Sequence, residues 1–591
     1  MNMTRSIRNG FVGVLVAVSA GCSGAVTPGG AGTGTGNSGV PGTGSGGAPA
    51  SGSGGATPGS GGSGTGATGP ATGTGGVGGP VGPVTQCNPG IPGSSQVPRM
   101  TIAQYSTVIK DLLGTTMLAG NVAPGSFLAP DSSSAMTDIA WNGYLTAAEK
   151  IAAEVMAGPN KAKFISCDPA VGTCLADTIK AFGRKAFRRP LTSAEQTSFM
   201  RLNTLTPKGT PAEVAEAVLF AFLASPSFIS LPELAQDMEG SSIKLNSYEV
   251  ASRLSFLLWN SVPDDPLNTA ADMNQLATKE QIKAQAIRML QVKEKAAAVA
   301  SSFHRYYADI NPGSHWVNVT THNATKFPNF TAATYTAAMA EIDAFFQDVV
   351  GNAGTFKDLF TSPVGFVTKD TAALYGVTST ATTPTKTTLD AAKRPGFLTR
   401  LGFLSTFSHD DTSSPILRGA FISGRVLGIP TGTPDPSVLT MKPPAGTYTT
   451  NRQAMEALTS PAACSSCHTA LINPPGFVLE RYNAVGAWQD KDPLGGDINS
   501  TAEVVLSVSP SIKKSVTTPA ELMAEIASTP GAQRIYAQQW VAFATGRSPN
   551  TNDACVVESL ATSLAGATYP ITSMMADYTA ADSFRLRTLA N

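Results

Sequence analysis

Between Arg8 and Arg99 the chain carries no lysine, arginine, aspartate or glutamate. Over that stretch Gly, Ser, Thr, Ala and Pro alternate with almost no large apolar side chain, and it holds roughly half of the chain's 59 glycines. A segment that buries nothing cannot offset the entropy of ordering itself, so a packed body is expected only from Arg99 onward. As a random coil of about 5–6 Å × √n, the repeat from Ser23 to Ser95 reaches roughly 45 Å. It reads equally as a leash holding a globular body off a membrane and as a spacer that only aids solubility.

The residues ahead of the repeat resemble an export signal. Arg5 and Arg8 give a positive start, Phe11 to Val18 a short apolar run, and Ser19-Ala20-Gly21 the small residues before a cut. The run is too short to span a bilayer. Cys22 directly after Ala-Gly is the position a bacterial lipoprotein acylates, although Ser19 stands where such boxes usually carry Leu. The expectation is a signal peptide over 1–21 and a lipid-anchored low-complexity linker over 22–96. The body is then exported to the cell envelope, as an outer-membrane or periplasm-facing lipoprotein. The 591 residues hold 41 basic and 41 acidic side chains. A zero balance argues against nucleic acid as a partner, because phosphate binding needs a basic excess.

From Arg99 the periodicity is helical. Helices are predicted over 101–113, 174–189, 211–223, 247–260, 279–290, 293–307, 332–350, 414–427, 519–527, 532–545 and 553–564. Sustained period-2 alternation is missing, and 312–328 and 378–386 read as irregular connections. The fold class expected is all-α, with at most a few short strands in loops.

The chain has seven cysteines: 22, 87, 167, 174, 464, 467 and 555. If Cys22 is lipidated and Cys464 and Cys467 share a motif, four remain, which in an oxidising compartment suggests two disulfides. Cys167 and Cys174 close a small loop and are the first pair expected; Cys87 and Cys555 would then be the second.

Residues 464–468 read Cys-Ser-Ser-Cys-His, the attachment signature of c-type haem. Sulfurs at i and i+3 share one face of a helical turn, where each can form a thioether to a haem vinyl group. His468 would then be the proximal iron ligand. Three other uses compete. A zinc site wants a second Cys/His pair, which the sequence lacks. A redox dithiol belongs to a β-α-β setting, also missing here. A disulfide between Cys464 and Cys467 leaves the histidine unexplained. For the sixth ligand His409 ranks first, with Asp410 or Asp411 beside it to fix a tautomer. Met455 and Met441 rank lower, and an open position is a further option. His315 and His322 fall in a polar loop and read as solvated.

Six stretches together resemble a known family: PRMTIAQYSTVIKDLLG (98–114), FGRKAFRRPLTSAE (182–195), ASRLSFLLWNSVPDDPL (251–267), RPGFLTRLGFLSTFSHDDTSSPILRGAF (394–421), CSSCHTALINPPGFVLERYNAVGAW (464–488) and ATGRSPNTNDACVVESLA (544–561). They are similar to the exported, cytochrome-like proteins of planctomycetes and myxobacteria. Those proteins carry consecutive domains of unknown function DUF1587, DUF1595, DUF1592, DUF1588 and DUF1585. The resemblance implies those segments at 97–165, 166–235, 236–378, 390–490 and 510–591, with a cytochrome c-like haem-binding segment in the fourth. It carries one covalent haem c onto Cys464, Cys467 and His468, and marks His409 and Arg418-Gly419 as family positions. The chain departs from the pattern at Asn473-Pro474-Pro475-Gly476-Phe477, where Asp-Pro-Leu-Gly-Phe is usual. It also departs at Leu458, where a histidine is common, and at Gln489, where the stretch usually ends in arginine.

Elsewhere the bland readings hold. Arg253, Trp259, Asp264 and Asp265 are expected to cap helices and lock packing. Arg184, Lys185, Arg188 and Arg189 are expected to form a solvated or ion-paired basic face. The leading expectation is an envelope-anchored c-type haem protein that passes electrons to a partner protein. One alternative is a haem-dependent oxidoreductase acting on an organic or polysaccharide substrate, because the body is far larger than one haem requires. Another is a surface carbohydrate- or partner-binding lipoprotein with a structural haem or none.

Overall fold

The structure, a computed structural model, describes residues 98–115, 138–311, 321–432 and 441–588. The export signal, Cys22, the tether, Cys87 and His315 lie outside the described residues. Among those described, no helix is long and apolar enough to cross a membrane.

The first helices begin and end on the residues that sequence rules favour. Helix α1 (Ile102–Leu113) opens on a reciprocal box, in which Thr101 Oγ1 accepts from the Gln104 N–H and the Gln104 side chain accepts from the Thr101 N–H. It closes at Gly114, φ 68°, a conformation open to a residue without a Cβ. The longer helices that follow are α2 (Asp138–Ala157), α3 (Cys174–Ala186), α4 (Ser193–Met200) and α5 (Pro211–Leu223). Phe182, Phe199 and Phe222 interlock α3, α4 and α5, with Phe199 stacked on Phe222 at 3.9 Å between ring centres. Cys167 and Cys174 form the expected disulfide in front of α3. The basic run behind α3 is not one solvated face. Arg184 pairs with Asp272 and Arg189 with Glu195, but Arg188 is 3% exposed. Its guanidinium donates to the carbonyls of Ala186, Ser227, Phe228 and Ser230, and burial pushes its pKa down to about 9. A cation with four carbonyl acceptors can be buried without a counter-ion.

Short strands β1 (Met238–Glu239) and β2 (Ser242–Lys244) pair with each other, and β2 also pairs with the terminal strand Leu586–Arg587, which ties the chain's end to its middle. Helices α6 (Ser247–Trp259), α7 (Asp265–Asp272), α8 (Lys279–Leu290), α9 (Lys293–Ala308), α10 (Ala332–Gly351) and α11 (Phe356–Thr361) build the centre. Here the packing readings hold. Arg253 pairs with Glu233, the Trp259 Nε1–H donates to the Met289 carbonyl, and Asp264 caps α7 while pairing with Arg288. Strand β3 (Val364–Val367) pairs with β4 (Thr385–Thr388), and β4 begins at the end of the connection over 378–386 expected to be irregular.

The last part comprises α12 (Leu401–Thr406), α13 (Pro415–Ala420), α14 (Asn451–Thr459), α15 (Ala462–Cys467), α16 (Asn473–Val478), β5 (Ala502–Val508), β6 (Ser511–Val516), α17 (Pro519–Ser528), α18 (Pro530–Thr545), α19 (Ala554–Leu564) and α20 (Ile571–Thr579). Two expectations fail here. The single helix over 414–427 switches at Phe421 to a π-helical segment, Phe421–Val426. The segment from 510, expected to be helical, is entered by an antiparallel hairpin of β5 and β6, while the body as a whole is mostly helical with few strands. The hairpin buries Val504, Val505 and Leu506 in succession and is irregular between Val505 and Ser507, so its two-residue alternation is broken. One large apolar core runs through α6 to α20, with Phe303, Tyr307, Phe346, Phe397, Tyr536 and Trp540 at its centre.

Candidate functional site

The Cys-Ser-Ser-Cys-His turn is built by two helices that cross on glycine. A Cβ on Gly419 in α13 would collide with the Ile472 carbonyl oxygen, and a Cβ on Gly476 in α16 would collide with the Pro415 carbonyl. Glycine at both positions lets the two backbones touch, which clamps the turn ahead of α16 onto α13. The family position Arg418 reinforces the clamp from below. It is fully buried and donates to the carbonyls of Leu404, Leu479, Tyr482 and Asn483. Burial lowers its pKa to about 10, against the opposing pull of Glu480 and Tyr482. Arg418 is therefore a structural clamp under the site.

Prolines explain the irregular helix that carries the histidine. Pro474 and Pro475 have no N–H to return to the carbonyls four residues back. The Leu471 carbonyl accepts instead from the Ser423 hydroxyl at 2.6 Å, which joins the two π-helical segments, Phe421–Val426 and His468–Ile472. The Asn473 N–H reaches back five residues to the His468 carbonyl. That wider turn accompanies an Asn473 side chain within hydrogen-bond reach of His468 Nδ1.

The hydrogen bonds then settle which nitrogen of His468 carries its proton. Thr459 Oγ1 donates to the Met455 carbonyl at 2.7 Å, so toward Asn473 it can only accept. The Asn473 Nδ2–H donates to it at 2.9 Å, which turns Asn473 Oδ1 to His468 Nδ1 at 3.1 Å. An oxygen without hydrogen requires Nδ1 to be the donor. Nε2 makes no hydrogen bond among the described residues. A metal-ligating histidine is commonly held this way, with its second nitrogen donating to a fixed acceptor.

Cys464 and Cys467 are both free thiols, half-buried on α15 one helical turn apart. Two accessible thiols on one face and a neighbouring imidazole with Nε2 unclaimed fit covalent haem: both sulfurs would hold the vinyl carbons and His468 Nε2 the iron. Among the described residues no group of three or more His, Cys, Asp and Glu side chains is placed to share a metal ion.

Models of four protein families match in consecutive order: DUF1595 over 174–233, DUF1592 over 245–377, DUF1588 (PSCyt3) over 394–492 and DUF1585 over 513–584, all described as proteins of unknown function. The chain belongs to this DUF1595–DUF1592–DUF1588–DUF1585 family. Residues 97–165, expected to resemble DUF1587, carry no such match. No curated protein and no solved structure matches the chain. The Cys464–His468 turn and both crossing glycines fall within the DUF1588 segment.

The other candidates in the DUF1588 segment are more scattered. His409 is exposed in the turn after α12, where its N–H donates to the Thr412 carbonyl. Its side chain makes no hydrogen bond to Asp410 or Asp411 among the described residues; Asp411 pairs with Lys326 instead. Met441 is 50% exposed. Met455 is partly buried on α14, the helix that receives the His468 relay. His322, expected to be solvated, is 7% exposed, with Nδ1 3.2 Å from the Asp410 carbonyl. Cys555, in the DUF1585 segment, is disulfide-bonded, and its expected partner Cys87 lies outside the described residues.

Sequence reasoning missed Asn473 and Thr459 as orienting residues. The departure from Asp to Asn at 473 was visible; its contact with a threonine on another helix was not.

Proposed function

We propose that the chain is an exported, envelope-anchored c-type haem protein that transfers electrons to a partner protein in the envelope. Cys464 and Cys467 hold the haem by thioethers and His468 Nε2 is the proximal ligand. The observation that carries this reading is the Met455–Thr459–Asn473–His468 relay, which holds Nε2 free beside two free thiols. When bound, haem supplies one-electron exchange at its iron.

The chain's own residues do the rest. Asn473 keeps the proton on Nδ1 and orients the ring; Gly419, Gly476 and Arg418 keep the turn from shifting against α13. An amide at 473 shares less negative charge with the imidazole than the carboxylate usual in the family, so His468 is the weaker electron donor and the higher reduction potential is favoured. For the sixth position His409, Met455 and Met441 are the candidates; the relay ties α14 to the Nδ1 side of His468, away from Nε2, so it favours none of them. The Cys22 anchor would keep the body at a membrane within reach of its partner.

Expression in a host competent in cytochrome c maturation tests the reading. A reduced-minus-oxidised spectrum with sharp c-type bands is expected. A colourless protein from such a host would contradict it.

A further inference from the structure

Away from the Cys464–His468 turn, the body contains a cavity of about 150 Å³. Its floor is one stripe of α6 on which Ser252, Arg253, Phe256 and Leu257 follow helical spacing. Its walls come from the start of α1, the connector before β1, the end of α18 and the stretch around α20. The cavity thus lies where parts distant in sequence meet, a common position for ligand sites.

The charges around it are unequally committed. Arg253 is held by both oxygens of Glu233 and donates to the Phe584 carbonyl. Arg547 is held by both oxygens of Asp553. The Glu249 carboxylate accepts from three backbone N–H groups, those of Leu234, Ala235 and Asn246. Arg99 alone has neither a carboxylate nor a hydrogen-bond partner for its guanidinium among the described residues. Elsewhere in the lining the Ser252 and Ser583 hydroxyls and the Arg547 Nε–H are buried without partners among the described residues. Among the described residues the polar groups left over are thus the Arg99 guanidinium and three donor-bearing groups, and they share the lining with the apolar rings of Phe256, Phe543 and Phe584. That combination accepts an anion at one end and an apolar ring at the other. A cavity of this volume holds one six-membered ring, as an engineered apolar cavity of about 150 Å³ holds benzene.

We propose that this cavity binds a small carboxylate carried on a single apolar ring, with Arg99 engaging the carboxylate and Phe256, Leu257 and Phe543 packing the ring. The proposal is independent of the haem reading, because the cavity shares no residue with the Cys464–His468 turn. Calorimetric titration of the full chain with sodium benzoate tests it, with glucose as the comparison and the Cys464→Ala/Cys467→Ala chain as a second background.

Saturable benzoate binding is expected in both backgrounds. Arg99→Gln should weaken it about tenfold or more, the loss of a charge-assisted bond, and Leu257→Trp should abolish it by filling the space. Far-UV circular dichroism and the melting temperature of each variant separate lost binding from lost folding. Absence of benzoate binding, binding unaffected by both substitutions, or binding of glucose in its place would overturn the proposal. Failure of the haem assay alone would leave it standing.

Discussion

His304 lies fully buried on α9, with Nδ1 2.7 Å from the Ala300 carbonyl, Nε2 2.8 Å from the Tyr536 hydroxyl and its ring stacked on Phe346. His468 lies half-exposed at the end of α15, with Nδ1 held by Asn473 and Nε2 without a hydrogen bond among the described residues. The first ring spends both nitrogens on packing the core, and desolvation lowers its pKa from 6.5 to about 4. The second spends one nitrogen on orientation and leaves the other without a hydrogen bond among the described residues. Burial alone separates the two poorly, since a histidine deep in a core can be fully satisfied and inert. The count of uncommitted nitrogens separates them well.

The largest effect that could break this contrast is chemical. Cys464→Ala/Cys467→Ala should abolish covalent haem completely while leaving the circular dichroism of the helical body unchanged. Haem retained after denaturation of that variant would remove the turn from the account.

The next effect belongs to His304. The unfolded chain takes up a proton near pH 6.5 that the folded chain refuses until about pH 4. The contribution of His304 to stability is therefore full above pH 6.5 and is lost as pH drops through that window, about 3 kcal/mol for this group. Urea titrations between pH 7 and pH 4 on wild type and His304→Gln check the sign. The variant should lose less over the window, and an equal loss would show that the ring is not the group responsible.

Gly476→Ala sharpens the contrast from the other side. The added methyl meets backbone that has no room to move, so the cost should be about 1–3 kcal/mol or more, with haem incorporation reduced in parallel. A melting temperature equal to wild type would mean that α13 and α16 do not touch there.

Thr459→Val is the smallest expected change. It leaves the Asn473 Nδ2–H without its acceptor, about 1 kcal/mol, and lets the amide turn over. Haem attachment should survive, with a shifted reduction potential; His304 and its pH dependence should not respond.

Much of this arrangement could be read in advance wherever it depended on local chemistry. Thr101 with Gln104, Thr210 with Pro211 and Glu213, and Asn246 with Glu249 each mark a helix start, and each box forms. Cys464, Cys467 and His468 announce themselves by spacing alone. What escaped depends on contacts between distant segments. Arg188 looked like its basic neighbours until the carbonyls of 227, 228 and 230 gathered around it. The β5–β6 hairpin was hidden by a run of three buried apolar residues that no two-residue rule fits. Pro474-Pro475 could have signalled a disturbed helix, but that the freed Leu471 carbonyl would go to Ser423 needed the fold.

Intact-mass analysis of the mature chain from a maturation-competent host tests the central claim most directly. The account predicts a polypeptide heavier by one haem, with the modified peptide spanning Cys464 to His468. An unmodified mass at those cysteines, in a host that loads a control cytochrome c, would contradict it.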